Sequence, residues 1–256
     1  MIHELSAPGC LARHMPRVSV MTNTKLRRTL APLIAVAALT LAGSPALAAD
    51  APADRVLQPD KYTSDRGRAL GQKYQGALRD LNSKIYHCMP WLDVKPEGIG
   101  FYKPKHIDGE NRYLSLNVNV DQQPSPEFTR LGVQDRVSAM FSRYVPHLLR
   151  SMATNDLLKE SNLDGFTVIA SWLKAMPANG QPAVMETAAA FVPKNVVADF
   201  VRGRNTVAQL AEGAHVIAWD GETKIGVVKP KAWADDFVLT YKVAGYTPDP
   251  RVKCTN

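Results

Sequence analysis

The chain has 256 residues, 45% of them hydrophobic, and a formal net charge of +7. Five of its 31 basic residues and one of its 24 acidic residues precede position 50, which leaves 26 basic against 23 acidic residues and a net charge of +3 for the remainder. That modest charge gives no electrostatic footprint for nucleic acid, and the remaining length allows one well-buried core or two small ones.

Residues 1–20 contain Pro8 and Pro16, show no helical or strand period, and precede another methionine, Met21. They read as a disordered leader or an over-long start, with Met21 or Met15 the better first residue. Residues 21–48 carry the parts of a secretory signal peptide in order. Lys25, Arg27 and Arg28 form a positive stretch, Leu30 to Leu41 is uncharged and apolar, and Gly43, Ser44 and Pro45 break the run before Ala46-Leu47-Ala48, a small-x-small cleavage pattern. A spanning helix needs roughly 20 apolar residues, so this shorter run is expected to be cleaved rather than kept as a transmembrane anchor. No Cys follows it, which argues against a lipid anchor, and paired arginines are ordinary in such a stretch, which favours the general secretory route. The reading is a periplasmic or secreted protein of the bacterial envelope.

Export changes the cysteine arithmetic. Cys10 precedes the cleavage point, and the exported chain keeps Cys88 and Cys254. An even pair in an oxidising compartment predicts a disulfide between them.

Residues 49–62 read as a polar, extended lead-in and residues 63–256 as a single domain. Thr63 or Ser64 caps a helix over about 65–88, with Leu70, Tyr74, Leu78, Leu81, Ile85 and Cys88 on its buried face. Pro90 stops it. Residues 90–111, rich in Pro and Gly, read as a long irregular loop. Arg112 to Asp121 alternates as a half-buried strand, with Leu114, Leu116, Val118 and Val120 inward and Asn117, Asn119 and Asp121 outward. Ser125-Pro126-Glu127 starts a helix that Pro146 should kink or split. Phe166 to Met176 and Val184 to Val192 read as strands around a turn-rich 177–182. Lys194 to Gly213 reads as two short helices ended by Gly203 and Gly213. Asp220-Gly221 predicts a hairpin between 214–219 and 222–228, and Phe237 to Val243 a last strand. The expected fold is α+β: a mainly antiparallel sheet of about five to six strands with helices on one face, a core matching a split βαβ (ferredoxin-like) plan, and a long helix before it.

Ser171-Trp172-Leu173-Lys174 matches Ser-x-x-Lys, a nucleophile motif that needs both side chains on one helix turn. Its strand-like pattern instead sends Ser171 and Lys174 to opposite faces. No histidine or cysteine spacing suits a metal, and no cofactor-binding motif is present, so neither is expected. His106 and Asp108 make a two-donor pair on an extended segment, His87 and His147 read as structural, and Asp235, Asp236 and Asp249 as turn or surface charges. Asn117, Asn119 and Asp121 share a strand face that suits a sugar or Ca²⁺, or is simply solvated. The 90–111 segment brings Trp91, Phe101 and Tyr102 beside Lys103, Lys105 and His106, a pattern for stacking on a glycan or anchoring a partner protein, or for folding back as a lid over the core. Trp91, Phe101, Tyr102, His106, Asn117, Asn119 and Asp121 are therefore the candidate binding residues. The expectation is an exported binding or structural module for a glycan, small molecule or envelope protein. The alternative is a cell-envelope hydrolase or transferase whose site assembles only in three dimensions.

Overall fold

The computed structural model describes residues 52–175, 182–234 and Cys254, all within the unit spanning 48–256. The leader, the signal segment and the expected strand at 237–243 lie outside the described residues, as do residues 177–181 of the expected turn.

Helix α1 (Asp65–Cys88) begins where the capping residue requires. The Ser64 hydroxyl accepts a hydrogen bond from the Gly67 N–H. Leu70, Tyr74, Leu78, Leu81 and Ile85 form its buried stripe. At its end Cys88 is bonded to Cys254, 166 residues away, with the Cα atoms 5.4 Å apart. In the chain-entropy model, closing so long a loop stabilises the fold by about 5 kcal/mol, an upper figure.

Strand β1 (Leu92–Tyr102) occupies most of the segment expected to be an irregular loop. Pro96 and Gly98 are not loop signals here but parts of a bulge, where the register shifts between Val94 and Ile99. The bulge reverses the side-chain phase, so Leu92 and Val94 before it and Ile99 and Phe101 after it are all buried. A strict period of two therefore fails across the segment. Gly98 is required by close approach: a Cβ there would lie 2.6 Å from the Lys95 carbonyl oxygen and 2.8 Å from that of Asn117. Residues 55–57 cover the outer edge of β1. The Leu57 N–H donates to the Ile99 carbonyl at 2.8 Å and the Ile99 N–H to that of Arg55 at 3.2 Å. The lead-in is thus tied to the sheet from Arg55 to Leu57.

β2 (Tyr113–Val120) is followed by α2 (Pro126–Arg130), α3 (Val133–Met152) and α4 (Asn155–Lys159). Ser125 caps α2 as its sequence implies. Pro146 does not split α3, which runs through it; the interruption falls instead at Gly132, the N-cap of α3. Pro146 is buried among Val145, Leu148 and Leu149, and their packing outweighs the one backbone bond that proline forfeits. β3 (Gly165–Leu173), β4 (Met185–Pro193), α5 (Lys194–Val201), α6 (Val207–Glu212), β5 (His215–Asp220) and β6 (Thr223–Val228) follow. Gly203 ends α5 at φ +74°, whereas Gly213 caps α6 in the ordinary right-handed region. Gly221, at φ +58°, turns the β5–β6 hairpin.

The fold is α+β, with a six-stranded sheet in the order β1-β2-β3-β4-β5-β6. Among the six described strands only β2 and β3 pair in parallel. This order corrects the ferredoxin-like expectation. A split βαβ unit places another strand between its two parallel strands, but β2 and β3 are bonded directly along the whole register from Tyr113↔Gly165 to Val120↔Trp172, which leaves no slot.

One sheet face packs under the helices. Leu114, Leu116, Val118, Phe166, Val168, Trp172, Ala190, Val192 and Val216 meet Leu78, Ile85, Val137, Phe141, Leu148, Val197 and Leu210 in one cluster. The buried charges on this side are paired. Glu186 accepts from Arg136 Nε at 2.7 Å and Nη2 at 2.5 Å, and from the Trp172 indole at 3.0 Å.

Candidate functional site

The second face of the sheet is the unusual part of the molecule. Strand alternation places its side chains in three cross-strand rows. Ser115, Thr167, Phe191 and His215 make the first; Asn117, Ile169, Ala189 and Ile217 the second; Asn119, Ser171, Thr187 and Trp219 the third. Ser115, Thr167, Ala189 and Ile217 are only 2–8% exposed. These rows are therefore not a plainly solvated face.

A cavity of about 650 Å³ opens above the rows. Its floor includes Ser115, Asn117, Thr167, Ile169 and Ile217, and Phe191 and Trp219 form an aromatic side. The β1 bulge (Pro96, Glu97, Gly98) and the segment Tyr102–His106 overhang it, while Lys224 contributes from β6. The bulge is held in an uncommon conformation. Glu97 has φ +55°, its carbonyl accepts from the Tyr102 hydroxyl at 2.7 Å, and its carboxylate pairs with Lys61. A non-glycine residue there costs about 1 kcal/mol, a strain found disproportionately at functional sites. The Tyr102 hydroxyl is pushed up to about 12, first by desolvation and then by the Tyr62 and Glu97 charges. It stays a neutral donor throughout the physiological range.

The overhang rests on a ring contact. His106 stacks on His215 with centroids 4.2 Å apart and interplanar angle 20°, and meets Phe191 edge-on at 4.4 Å. Desolvation, followed by the His215 charge, lowers the His106 pKa from its ordinary value. Its neutral ring offers one donor and one acceptor near pH 7.

Two polar features point into this face. The Asn117 side-chain oxygen is buried and accepts no hydrogen bond among the described residues. An acceptor left this way costs about 1–3 kcal/mol, which a ligand N–H or O–H would recover once the Asn117 amide turns its oxygen toward the cavity. Beside the cavity, Lys95 Nζ donates to the Ser171 hydroxyl at 3.1 Å, and Ser171 and Thr187 share a hydrogen bond of 2.9 Å. Lys174 plays no part in this; it pairs with Asp220 at 2.6 Å.

Of the residues singled out in the sequence, the fold gathers Tyr102, His106 and Asn117 around the cavity, with Asn119 in the neighbouring row. Phe101 faces the other way, into the helix-side core, and Trp91 packs against that core. Asp121 is exposed beyond the end of β2, where its N–H donates to the Trp91 carbonyl at 2.8 Å. Asp108 is exposed, and its carbonyl accepts from the Asn111 amide. Among the described residues no three His, Cys, Asp or Glu side chains gather as metal ligands. Sequence reasoning missed Thr167, Ile169, Phe191, His215, Ile217 and Trp219. Their signal was present in β3, where Phe166-Thr167-Val168-Ile169-Ala170 is largely apolar on both sides, as in a strand covered on both faces. No family model, curated protein or solved structure matches the chain.

Proposed function

We propose that this protein is an exported binding module, periplasmic or secreted, that holds a small molecule in the cavity on the open face of its sheet. The observation that carries this reading is the cavity with Asn117: a buried, unpartnered acceptor set among aromatic and aliphatic walls. Ligand sites in general combine a mostly apolar lining with a few convergent polar groups, and about 650 Å³ suits a drug-sized molecule. The 21–48 segment supports export by its order of charged, apolar and small residues. The Cys88–Cys254 disulfide fits an oxidising compartment. The described residues contain no helix long and apolar enough to cross a membrane. A fragment screen followed by backbone amide shifts tests the proposal. Hits are expected to shift Ser115, Asn117, Thr167, Ile169 and Ile217 together. Hits that shift only helix-side or scattered amides would overturn it.

A second reading, a hydrolase or transferase, is favoured by one contact, Lys95 to Ser171. In it the neutral amine form of Lys95 takes the hydroxyl proton as Ser171 attacks an acyl carbon, and passes that proton to the leaving group as its bond to the acyl carbon breaks. Ser171 is only 3% exposed, so this reading needs the bulge to move. A fluorophosphonate adduct on the Ser171 peptide, lost in Lys95→Met, would establish it, and an unmodified peptide would dismiss it.

A further inference from the structure

The charges around the cavity are one-sided. Lys103, Lys105 and Lys224 line it and are exposed, and none has an ion-pair partner among the described residues. The one lining carboxylate, Glu97, is already paired with Lys61. The lysines approach from opposite sides, two from the segment after β1 and one from β6. The far edge strand and the overhang therefore both present cations to the same space. Around the same space the surfaces that accept a ligand body are flat: the rings of Tyr102, Phe191 and Trp219 and the prolines Pro96 and Pro104.

We infer that the cavity takes an organic anion with a flat apolar body, its ring system on the floor and its carboxylate, sulfonate or phosphate at the lysine rim. This rests on the small-molecule reading above and adds the ligand's chemical class. Ring contacts supply the affinity, because aromatic pairs gain from area burial and from edge or stacked geometry. The lysines supply selection, because ammonium groups at a rim beside a low-dielectric wall attract anions and steer them inward. The Asn117 amide, with its oxygen turned toward the cavity, then selects among anions for one carrying a hydroxyl or N–H on its ring.

The two fluorescent probes 8-anilinonaphthalene-1-sulfonate and N-phenyl-1-naphthylamine share one aromatic body, and only the first carries a sulfonate. Both are titrated into the full exported chain, with binding assigned by amide shifts of Asn117, Thr167 and Ile217. At low salt the sulfonate is expected to bind about tenfold more tightly than the amine, as two or three partly exposed charge contacts would give, and to lose that advantage as salt rises. Lys103→Gln with Lys224→Gln should remove most of the sulfonate's advantage over the amine while leaving the melting temperature unchanged. Naphthalene-2-carboxylate should displace the sulfonate better than undecanoate, a chain acid with the same number of carbons. Equal affinity of the two probes, or equal loss of both in the double variant, would overturn the anion assignment and leave the cavity reading standing. Better displacement by undecanoate would overturn the flat body. If neither probe reaches the floor amides, the cavity reading itself fails.

Discussion

The two faces of one sheet are built differently. Under the helices, the strands present Leu114, Leu116, Phe166, Val168 and Val192, and the buried Glu186 receives both Arg136 and Trp172. Across the same strands, the other face mixes Ser115, Asn117 and Thr167 with Ile169, Phe191 and Ile217, and keeps an acceptor unsatisfied. The first arrangement buries one continuous apolar cluster and satisfies its buried charges. The second gives up some stability and gains a concave, chemically mixed surface. Natural sheets surrender stability most often where a site needs it.

The contrast breaks most sharply at Glu186. Glu186→Ala leaves Arg136 charged and buried, and should cost about 3–5 kcal/mol in chemical denaturation, with the slope unchanged. A loss within 1 kcal/mol would mean that the helix side is far less committed than its packing implies (about the size of an exposed pair). The next effect is an acid transition on the same side. Glu160 accepts from Lys73 at 2.6 Å and from the Asn162 N–H at 3.0 Å, and these bonds, in that order, lower its carboxyl to about 2. Its ordinary value is 4.5, so the unfolded chain takes the proton first as pH falls. Stability present above pH 4.5 should drain between 4.5 and about 2, by at most about 3 kcal/mol, and Glu160→Gln should flatten that limb.

A smaller effect belongs to the open face. His106 titrates below its ordinary 6.5 because burial and then His215 disfavour its charge, with Lys105 and Asp108 nearby on the same segment. The unfolded chain again protonates first, so the contribution of the stack is complete above pH 6.5 and falls away below it. Amide protection in residues 103–111, taken relative to the slower intrinsic exchange at lower pH, should fall from pH 7.5 to 5.5. His106→Phe keeps the stacking ring without the proton and should remove that pH dependence.

Much of the fold was legible because its signals are local. Ser64, the stripe from Leu70 to Ile85 and the Asp220-Gly221 turn each lie within a few residues of what they specify. Strand β1 was hidden because its bulge reverses the alternation between Val94 and Ile99, so Pro96 and Gly98 looked like loop residues. Pro146 misled in the opposite direction, since burial of its neighbours carries the helix past it. The site was only partly legible. Tyr102, His106 and Asn117 stood out individually, but His106 meets Phe191 and His215 only through tertiary pairing across the sheet. The polarity of alternate residues in β2 resembled a solvated face, and only the doubly apolar β3 argued against that.

The most direct test is Asn117→Val, measured for melting temperature and for fragment binding on one preparation. Removing an unsatisfied buried acceptor should stabilise the empty protein by about 1 kcal/mol, a rise of roughly 2–4 °C, while ligands of the cavity weaken or are lost. A fall in melting temperature with ligand binding intact would contradict the proposal that the open face is a binding surface that gives up stability for it.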